Sequence, residues 1–180
     1  MAIKQDSTRK FYIRNAVEAD LPVLVDFLAK LALHVAGAPP LKLKKNERSR
    51  LMQVLRTSLS DPAKLIIVAA TSDDNLIGMG YLYVVKHQGI WEQAEETEAK
   101  SAFIDDVWVE PDFRNQGIFS ALIRELIKFA ESHDVHELIL EYAVSNKEAE
   151  AVWTRLGFKL TGVRAAAFTK TVQAALAKGQ

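Results

Sequence analysis

The stretch Val107-Trp-Val-Glu-Pro-Asp-Phe-Arg-Asn-Gln-Gly-Ile-Phe-Ser120 carries the residue types of an anion site. An apolar strand end gives way to a short loop holding Arg114, and apolar residues at helical spacing follow Gly117. A helix start leaves its first backbone N–H groups without internal acceptors and gathers about half a positive charge there. Such a corner suits a phosphate or diphosphate. Arg114 adds a cation, and Gly117 lets backbone come close to a ligand. The same spacing also fits an ordinary strand–loop–helix corner with a solvated arginine, and spacing alone leaves both readings open.

Just before the corner, Asp105 and Asp106 sit in mid-strand, where aspartate is disfavoured. In a regular strand they point to opposite faces, with Asp105 sharing the parity of Val107 and Val109. A bulge there would change that assignment. His87, His133 and His136 show no metal-ligand spacing, and no metal is expected. Trp91 and Trp108 read as packing groups. Glu92 to Glu98 form an acidic stretch, and Lys42, Lys44, Lys45, Arg48 and Arg50 form a basic one. Either could bias the choice of substrate, and either could be a solvated face.

The elements that position these residues alternate in type. Phe11–Val17 reads as a strand, and Asp20-Leu21-Pro22 opens a helix carrying Leu24, Phe27, Leu28, Leu31 and Val35. After Gly37-Ala-Pro-Pro40, a second helix is expected over Asn46–Leu59, with Leu51, Val54, Leu55 and Ser58 on one face. Lys64–Ala70 and Leu76–Val85 read as an antiparallel hairpin about a turn at Ser72–Asn75. Ser101–Val109 is the next strand. The helix after the corner shows a stripe of Phe119, Leu122, Ile123, Leu126, Ile127 and Ala130. Leu138–Tyr142 is a strand, and a helix from Asn146 carries Ala149, Val152, Trp153 and Leu156 before Gly157 ends it. Phe158–Phe168 reads as a last strand, and the tail from Thr169 has weak helical character. Two strand–helix–strand crossovers in the second half predict parallel connections there. The fold class is α/β of mixed type, a mixed sheet with helices on both faces.

The chain has 180 residues, 49% of them hydrophobic and 26% charged, enough for one domain over 1–180 with its own core. Cysteine is absent, which excludes thiol nucleophiles and disulfides. Lys+Arg and Asp+Glu are equal at 23 each, so nothing in the bulk charge recruits nucleic acid or a membrane surface. The polar first ten or so residues lack a signal-peptide core, and no apolar run nears the roughly 18 residues of a membrane span. A cytoplasmic protein is expected.

Strand-Val-x-Pro-x-x-Arg-x-x-Gly-x followed by an amphipathic helix resembles the acetyl-CoA signature of the GNAT superfamily of N-acetyltransferases. Ile13-Arg14-x-Ala16-x-x-x-Asp20-Leu21-Pro22-x-Leu24 is similar to the way many of its members open. Asn146-x-x-Ala149-x-x-x-Trp153-x-x-x-Gly157-Phe158 is similar to their late helix and final strand. The three pieces occur in the family's order and cover residues 11–168. The resemblance implies a mostly antiparallel central sheet with two splayed strands, Ser101–Val109 and Leu138–Tyr142. It implies that the pantetheine arm of acetyl-CoA lies in the gap, bonded to backbone as a strand would be. Val107, Trp108 and Val109 would hold the arm and the thioester carbonyl. Backbone N–H groups of Arg114, Asn115, Gln116, Gly117, Ile118, Phe119 and Ser120 would cradle the diphosphate, with Asn146 and Trp153 completing the cofactor contacts.

Two departures stand out. Phe119 occupies a position that is usually Gly or Ala, and Trp153 stands where many members carry a tyrosine thought to protonate the leaving thiolate. An indole N–H is no useful acid at neutral pH. On the acceptor side, a primary amine must shed a proton, its ammonium having a pKa near about 10, and Asp105 is the expected base. Asp106 is expected as a structural hydrogen-bond acceptor, and Glu141, Tyr142 and His34 as acceptor-pocket residues. The implied function is acetyl transfer from acetyl-CoA to a primary amine, of a small molecule or a peptide, by direct attack. The alternative is a non-catalytic acyl-CoA sensor or interaction module on the same fold. A different phosphate-binding α/β protein is disfavoured, since no Gly-x-Gly-x-x-Gly or Gly-Lys-Ser/Thr loop is present. Dimers are frequent among such proteins, so a homodimer is among the expectations.

Overall fold

A buried carboxylate turns the chain from its first strand into its first helix. The computed structural model describes residues 10–37, 43–86, 100–135, 137–162 and 165–178, in two compact units, Met1–Glu141 and Tyr142–Gln180. In the first unit, β1 (Phe11–Asn15) is followed by a short 3-10 turn and α1 (Leu21–Ala36). Arg14 donates to both oxygens of Asp20, at 2.6 and 3.0 Å, and the Val17 N–H donates at 2.8 Å. Asp20 is only 6% exposed. Burial pushes its carboxyl up, but the Arg14 guanidinium and the Val17 amide outweigh burial and hold it below the usual carboxylate range. Pro22 sits in the first turn of α1, and Leu21, Leu24, Val25 and Phe27 form its buried face.

Helix α2 (Lys45–Leu59) buries Leu55 and Ser58, while Val54, expected on that face, is exposed. Two residues of the basic stretch are ion-paired. Arg48 pairs with Asp26 at 2.5 Å and donates to the Pro22 carbonyl at 3.0 Å, bracing α1, and Arg50 pairs with Glu47.

Five strands form one sheet in chain order: β1, β2 (Lys64–Thr71), β3 (Leu76–Lys86), β4 (Lys100–Val109) and β5 (Glu137–Leu140). The first three pairings are antiparallel, including the expected β2–β3 hairpin, and β4–β5 is parallel. Side chains alternate between two covered faces. Ile66, Val68, Met79, Tyr81 and Trp108 pack with α1 and α2. On the other face lies α3 (Ile118–Ser132), which buries Ile118, Ala121, Leu122, Ile123, Leu126 and Ala130. Phe119 and Ile127, expected in that stripe, are half-buried. Gly78 permits the close approach: a Cβ there would lie 2.8 Å from the Trp108 carbonyl oxygen and 3.5 Å from Ile118 Cγ2. His133 ends α3, with Nδ1 2.9 Å from the Phe129 carbonyl oxygen and Nε2 3.0 Å from that of Pro62, a fastening between elements.

The second unit holds α4 (Lys147–Arg155) and α5 (Thr169–Lys178), the latter in the tail read as weakly helical. The strand expected over Phe158–Phe168 is not formed among the described residues 158–162 and 165–168. Only one of the two expected crossovers, β4–α3–β5, is therefore seen. The chain after α4 folds back locally instead: the Phe158 N–H bonds the Trp153 carbonyl at 3.1 Å, and the two rings meet edge to face at 5.4 Å. Without a ladder there is nothing to fix an extended segment, and Leu160 and Phe168 stay 80% and 85% exposed. The acidic stretch Glu92–Glu98, His87, Trp91, His136, Pro39, Pro40 and Lys42 lie outside the described residues.

The depressed Asp20 carboxyl adds stability that is present above its unfolded-state value and is lost as pH falls through the folded one. Asp20→Asn should lower the unfolding free energy by about 1–3 kcal/mol near neutral pH, with the gap from wild type closing below about pH 4. Urea unfolding at both pH values reads this, and a gap that persists in acid would remove the ion pair as its cause.

Candidate active site

The site begins where a ladder stops. β4 pairs with β5 from Ser101–Glu137 to Ile104–Leu140 and no further, while β4 itself runs on to Val109. Through Asp105–Val109 its outer edge has no strand partner among the described residues. The other edge stays paired with β3: Asp106 faces Tyr81, Val107 faces Gly80, Trp108 faces Met79 and Val109 faces Gly78. The register slips by one, since Leu82 pairs with Ile104, and Asp105 is the extra residue of a bulge.

The bulge overturns the simple parity. Val107 and Val109 share the α3 face with Gly80 and Gly78, while Asp106 and Trp108 share the α1–α2 face with Tyr81 and Met79. Asp105 is exposed and Asp106 half-buried. No described residue donates a hydrogen bond to Asp106, the residue expected as a structural acceptor. Burial, then the neighbouring Asp105 charge, push the Asp106 carboxyl up to about 7. Burial, then Glu141, push Asp105 up as well. Glu141, the residue after β5, thus stands across from Asp105 where the two strands part. Tyr83 lies in the same field: its hydroxyl is raised by burial, then by Asp105, with smaller effects from Tyr81, Glu141 and Asp106. Its ring stacks on Phe103, centroids 5.3 Å apart. No three of the described His, Asp and Glu residues are grouped to hold a metal ion.

Beyond Val109, the Glu110 N–H still bonds Ile77 at 2.9 Å, and Pro111–Phe113 make a 3-10 turn. Asn115 and Gly117 both have positive φ, 60° and 81°, before α3 starts at Ile118. A Cβ on Gly117 would meet nothing within 4 Å, so glycine is needed there for its left-handed backbone and the space above it is open. Asn115, Gln116, Gly117 and Ser120 are exposed, Phe119 is half-buried and Ile118 is buried, which anchors the helix start. Gln116 Nε2 donates to the Asp112 carbonyl at 3.2 Å. Arg114 Nε donates to the Val109 carbonyl at 3.3 Å, and its guanidinium lies over the Trp108 ring, 5.3 Å from the centroid. His34, in the last turn of α1, meets the same ring edge-on at 6.0 Å.

The structure therefore brings together Asp105, Val107, Trp108, Val109, Arg114, the residues through Ser120, Glu141 and His34 within the first unit. Tyr142, Asn146 and Trp153 belong to the second. There Asn146 is the N-cap of α4, its Oδ1 accepting from the Ala149 N–H at 3.1 Å. The aromatic pair Tyr83 and Phe103 escaped the sequence reading, although their alternation with apolar neighbours could have placed them on one face.

This arrangement fits an extended thioester ligand. It offers a strand edge, open on one side, that leads into a helix start whose first-turn amides lack intrahelical acceptors. The profile of the Acetyltransferase (GNAT) family matches residues 30–158. A candidate ribosomal protein bS18-alanine N-acetyltransferase of Bacillus subtilis is 26% identical over 88 residues, 49% of this chain and 55% of that protein. The matched segments span from 25% to 55% of the curated relatives' own lengths. A Clostridium acetobutylicum protein thought to be an acetyltransferase, solved with acetyl-CoA, has a TM-score of 0.71 at 16% identity, over 88% of this chain and 96% of that one. An aminoglycoside 6'-N-acetyltransferase from Acinetobacter baumannii has 0.65 at 19%, over 88% and 97%. At these identities the structural likeness is one of fold alone.

A raised carboxyl binds its proton more tightly in the folded chain than in the unfolded one, so Asp106 costs stability as pH rises from about 4 to about 7. Asp106→Asn should stabilise the protein by roughly 1–3 kcal/mol at pH 8 and hardly at all at pH 4. Thermal unfolding at the two pH values tests this; equal stabilisation at both would contradict a buried, proton-retaining carboxyl.

Proposed function

Because this chain belongs to the acetyltransferase (GNAT) family, we propose that it moves the acetyl group of acetyl-CoA to a primary amine by direct attack. The observation that carries this reading is the open β4 edge at Asp105–Val109 leading into the left-handed Gly117 and the start of α3. The thioester supplies an activated acetyl group. Backbone groups of Val107 and Val109 bind the extended arm as a strand would, and the Val107 amide polarises the thioester carbonyl. The amides from Arg114 to Ser120 and the Arg114 cation take the diphosphate. Asn146 and Trp153, which the family resemblance assigns to the cofactor, belong to the second unit, where Asn146 Oδ1 is committed to its cap.

Asp105, exposed at the fork, receives the ammonium of the incoming amine and takes its proton, with Asp106 beside it as a second proton holder suited to neutral pH. The amine nitrogen bonds the acetyl carbon as the C–S bond breaks, and CoA leaves as a thiolate that takes its proton from water. Glu141 and His34 line the acceptor side, and Tyr142, the third residue expected there, opens the second unit. The three carboxylates favour an amine that arrives as a cation. The relatives act, by their names, on a protein's alanine and on an aminoglycoside, so the acceptor class spans peptide and small-molecule amines. Residues 1–180 work as one acetyltransferase domain. No helix among the described residues is long and apolar enough to cross a membrane, and acetyl-CoA as co-substrate suits a cytoplasmic place of action. The non-catalytic sensor is not favoured, since the family and its named relatives are acetyltransferases.

Gly117→Asp, which sets a carboxylate at the diphosphate position, should weaken acetyl-CoA binding by 100-fold or more, about 3 kcal/mol. Unchanged affinity in calorimetry would sink the corner assignment. Thiol release measured with peptide N-termini, aminoglycosides and alkyl amines should identify an acceptor. With that acceptor, Asp105→Asn should cut turnover about 10²-fold with acetyl-CoA affinity intact; equal loss of both would make the residue structural. Tight acetyl-CoA binding with no thiol release for any amine would revive the sensor.

A further inference from the structure

We propose that Trp108 is a positioning residue for acetyl-CoA, its indole face holding the Arg114 guanidinium over the corner that the function proposed above assigns to the diphosphate. Trp108 is 6% exposed and lies on the α1–α2 face of β4, among apolar side chains. Its Nε1 is buried and has no hydrogen-bond partner among the described residues. A buried tryptophan N–H ordinarily finds an acceptor, and one left without is unfavourable. Leucine or phenylalanine would fill the same cluster without burying that donor. What the indole adds is its face, the strongest of the aromatic cation acceptors.

Two contacts use the ring. The Arg114 guanidinium carbon lies 5.3 Å from the centroid, and His34 meets the ring edge-on at 6.0 Å with an interplanar angle of 72°. Neighbouring side chains, rather than a hydrogen bond, fix the indole plane. Arg114 is then tied at a second point, its Nε donating to the Val109 carbonyl at 3.3 Å. A long side chain held at two points loses little further freedom when it meets an anion, so binding is tighter than for a free arginine. The Trp108 main chain is turned toward β3, its carbonyl oxygen lying beside Gly78, so this residue acts on the diphosphate through its side chain alone, while the outward-facing Val107 and Val109 are left to the arm.

The test compares the affinities of wild type, Trp108→Phe, Trp108→Leu, Arg114→Ala and the Leu–Ala double variant for acetyl-CoA and for S-acetylpantetheine, which lacks the diphosphate. Thermal unfolding confirms that each variant is folded, and Trp108→Phe keeps an aromatic face should Leu not fold. Arg114→Ala should weaken acetyl-CoA binding about tenfold, Trp108→Leu about fivefold and Trp108→Phe less, in the range expected of a cation over an aromatic ring. The double variant should be no weaker than Arg114→Ala alone, and S-acetylpantetheine should bind all of them alike. Multiplying effects in the double variant, or equal losses for both ligands, would overturn the positioning role while leaving the corner assignment intact. If Arg114→Ala leaves acetyl-CoA affinity unchanged, the guanidinium has no part in diphosphate binding, and Trp108 has nothing to position.

Discussion

Two neighbouring strands of unequal length set the geometry of this protein. β5 has four residues and β4 has ten, so their ladder must end at Ile104–Leu140. β4 stays extended beyond that point because β3 holds its other edge through Val109. A strand edge with one side paired presents backbone groups ready for an extended ligand. The glycines of β3 opposite this segment let α3 sit close beneath it, with Ile118 and Leu122 against Gly78 and Leu126 against Gly80. The packing that supports the open edge therefore also delivers the start of α3 to its end. The open edge and the helix-start corner are one consequence of how the core closes.

The charge distribution along β4 follows the same division. At the fork, carboxylates from two strands face one another, and burial with mutual repulsion raises the proton affinity of Asp105 and Asp106. At the other end, the guanidinium of Arg114 rests on an indole and a carbonyl beside a helix start. The segment thus carries negative charge at its start and positive charge just past its end.

Much of this was legible in the residues themselves. The corner around Gly117, the β2–β3 hairpin and the buried stripe of α3 follow from turn chemistry and periodicity, which act locally. The fork needed the length of β5, which depends on where Leu140 finds a partner and not on the types of Glu141 and Tyr142. The strand expected over Phe158–Phe168 failed for a related reason: alternating apolar residues specify a strand only when a neighbour pairs with it, and Phe158 instead packs on Trp153. The environment of Asp106 was hidden because parity had to be counted through a bulge. Yet the slip is written in the chain, since the residues facing α3 are Ala102 and Ile104 and then Val107 and Val109, one step out of alternation.

That slip makes Asp105 the one residue of the segment that the pairing with β3 does not use, since Ile104 meets Leu82 and Asp106 meets Tyr81. On either side of it the strand keeps its own phase, and each phase is locked by what it buries. Taking Asp105 out would leave Ile104, Asp106 and Val107 in plain alternation, with every buried side chain still on its own face. The core would keep its packing while the strand straightened and lost the exposed carboxylate beside the end of β5. Homologous chains one residue shorter at this point should therefore fold alike and differ in what they present there.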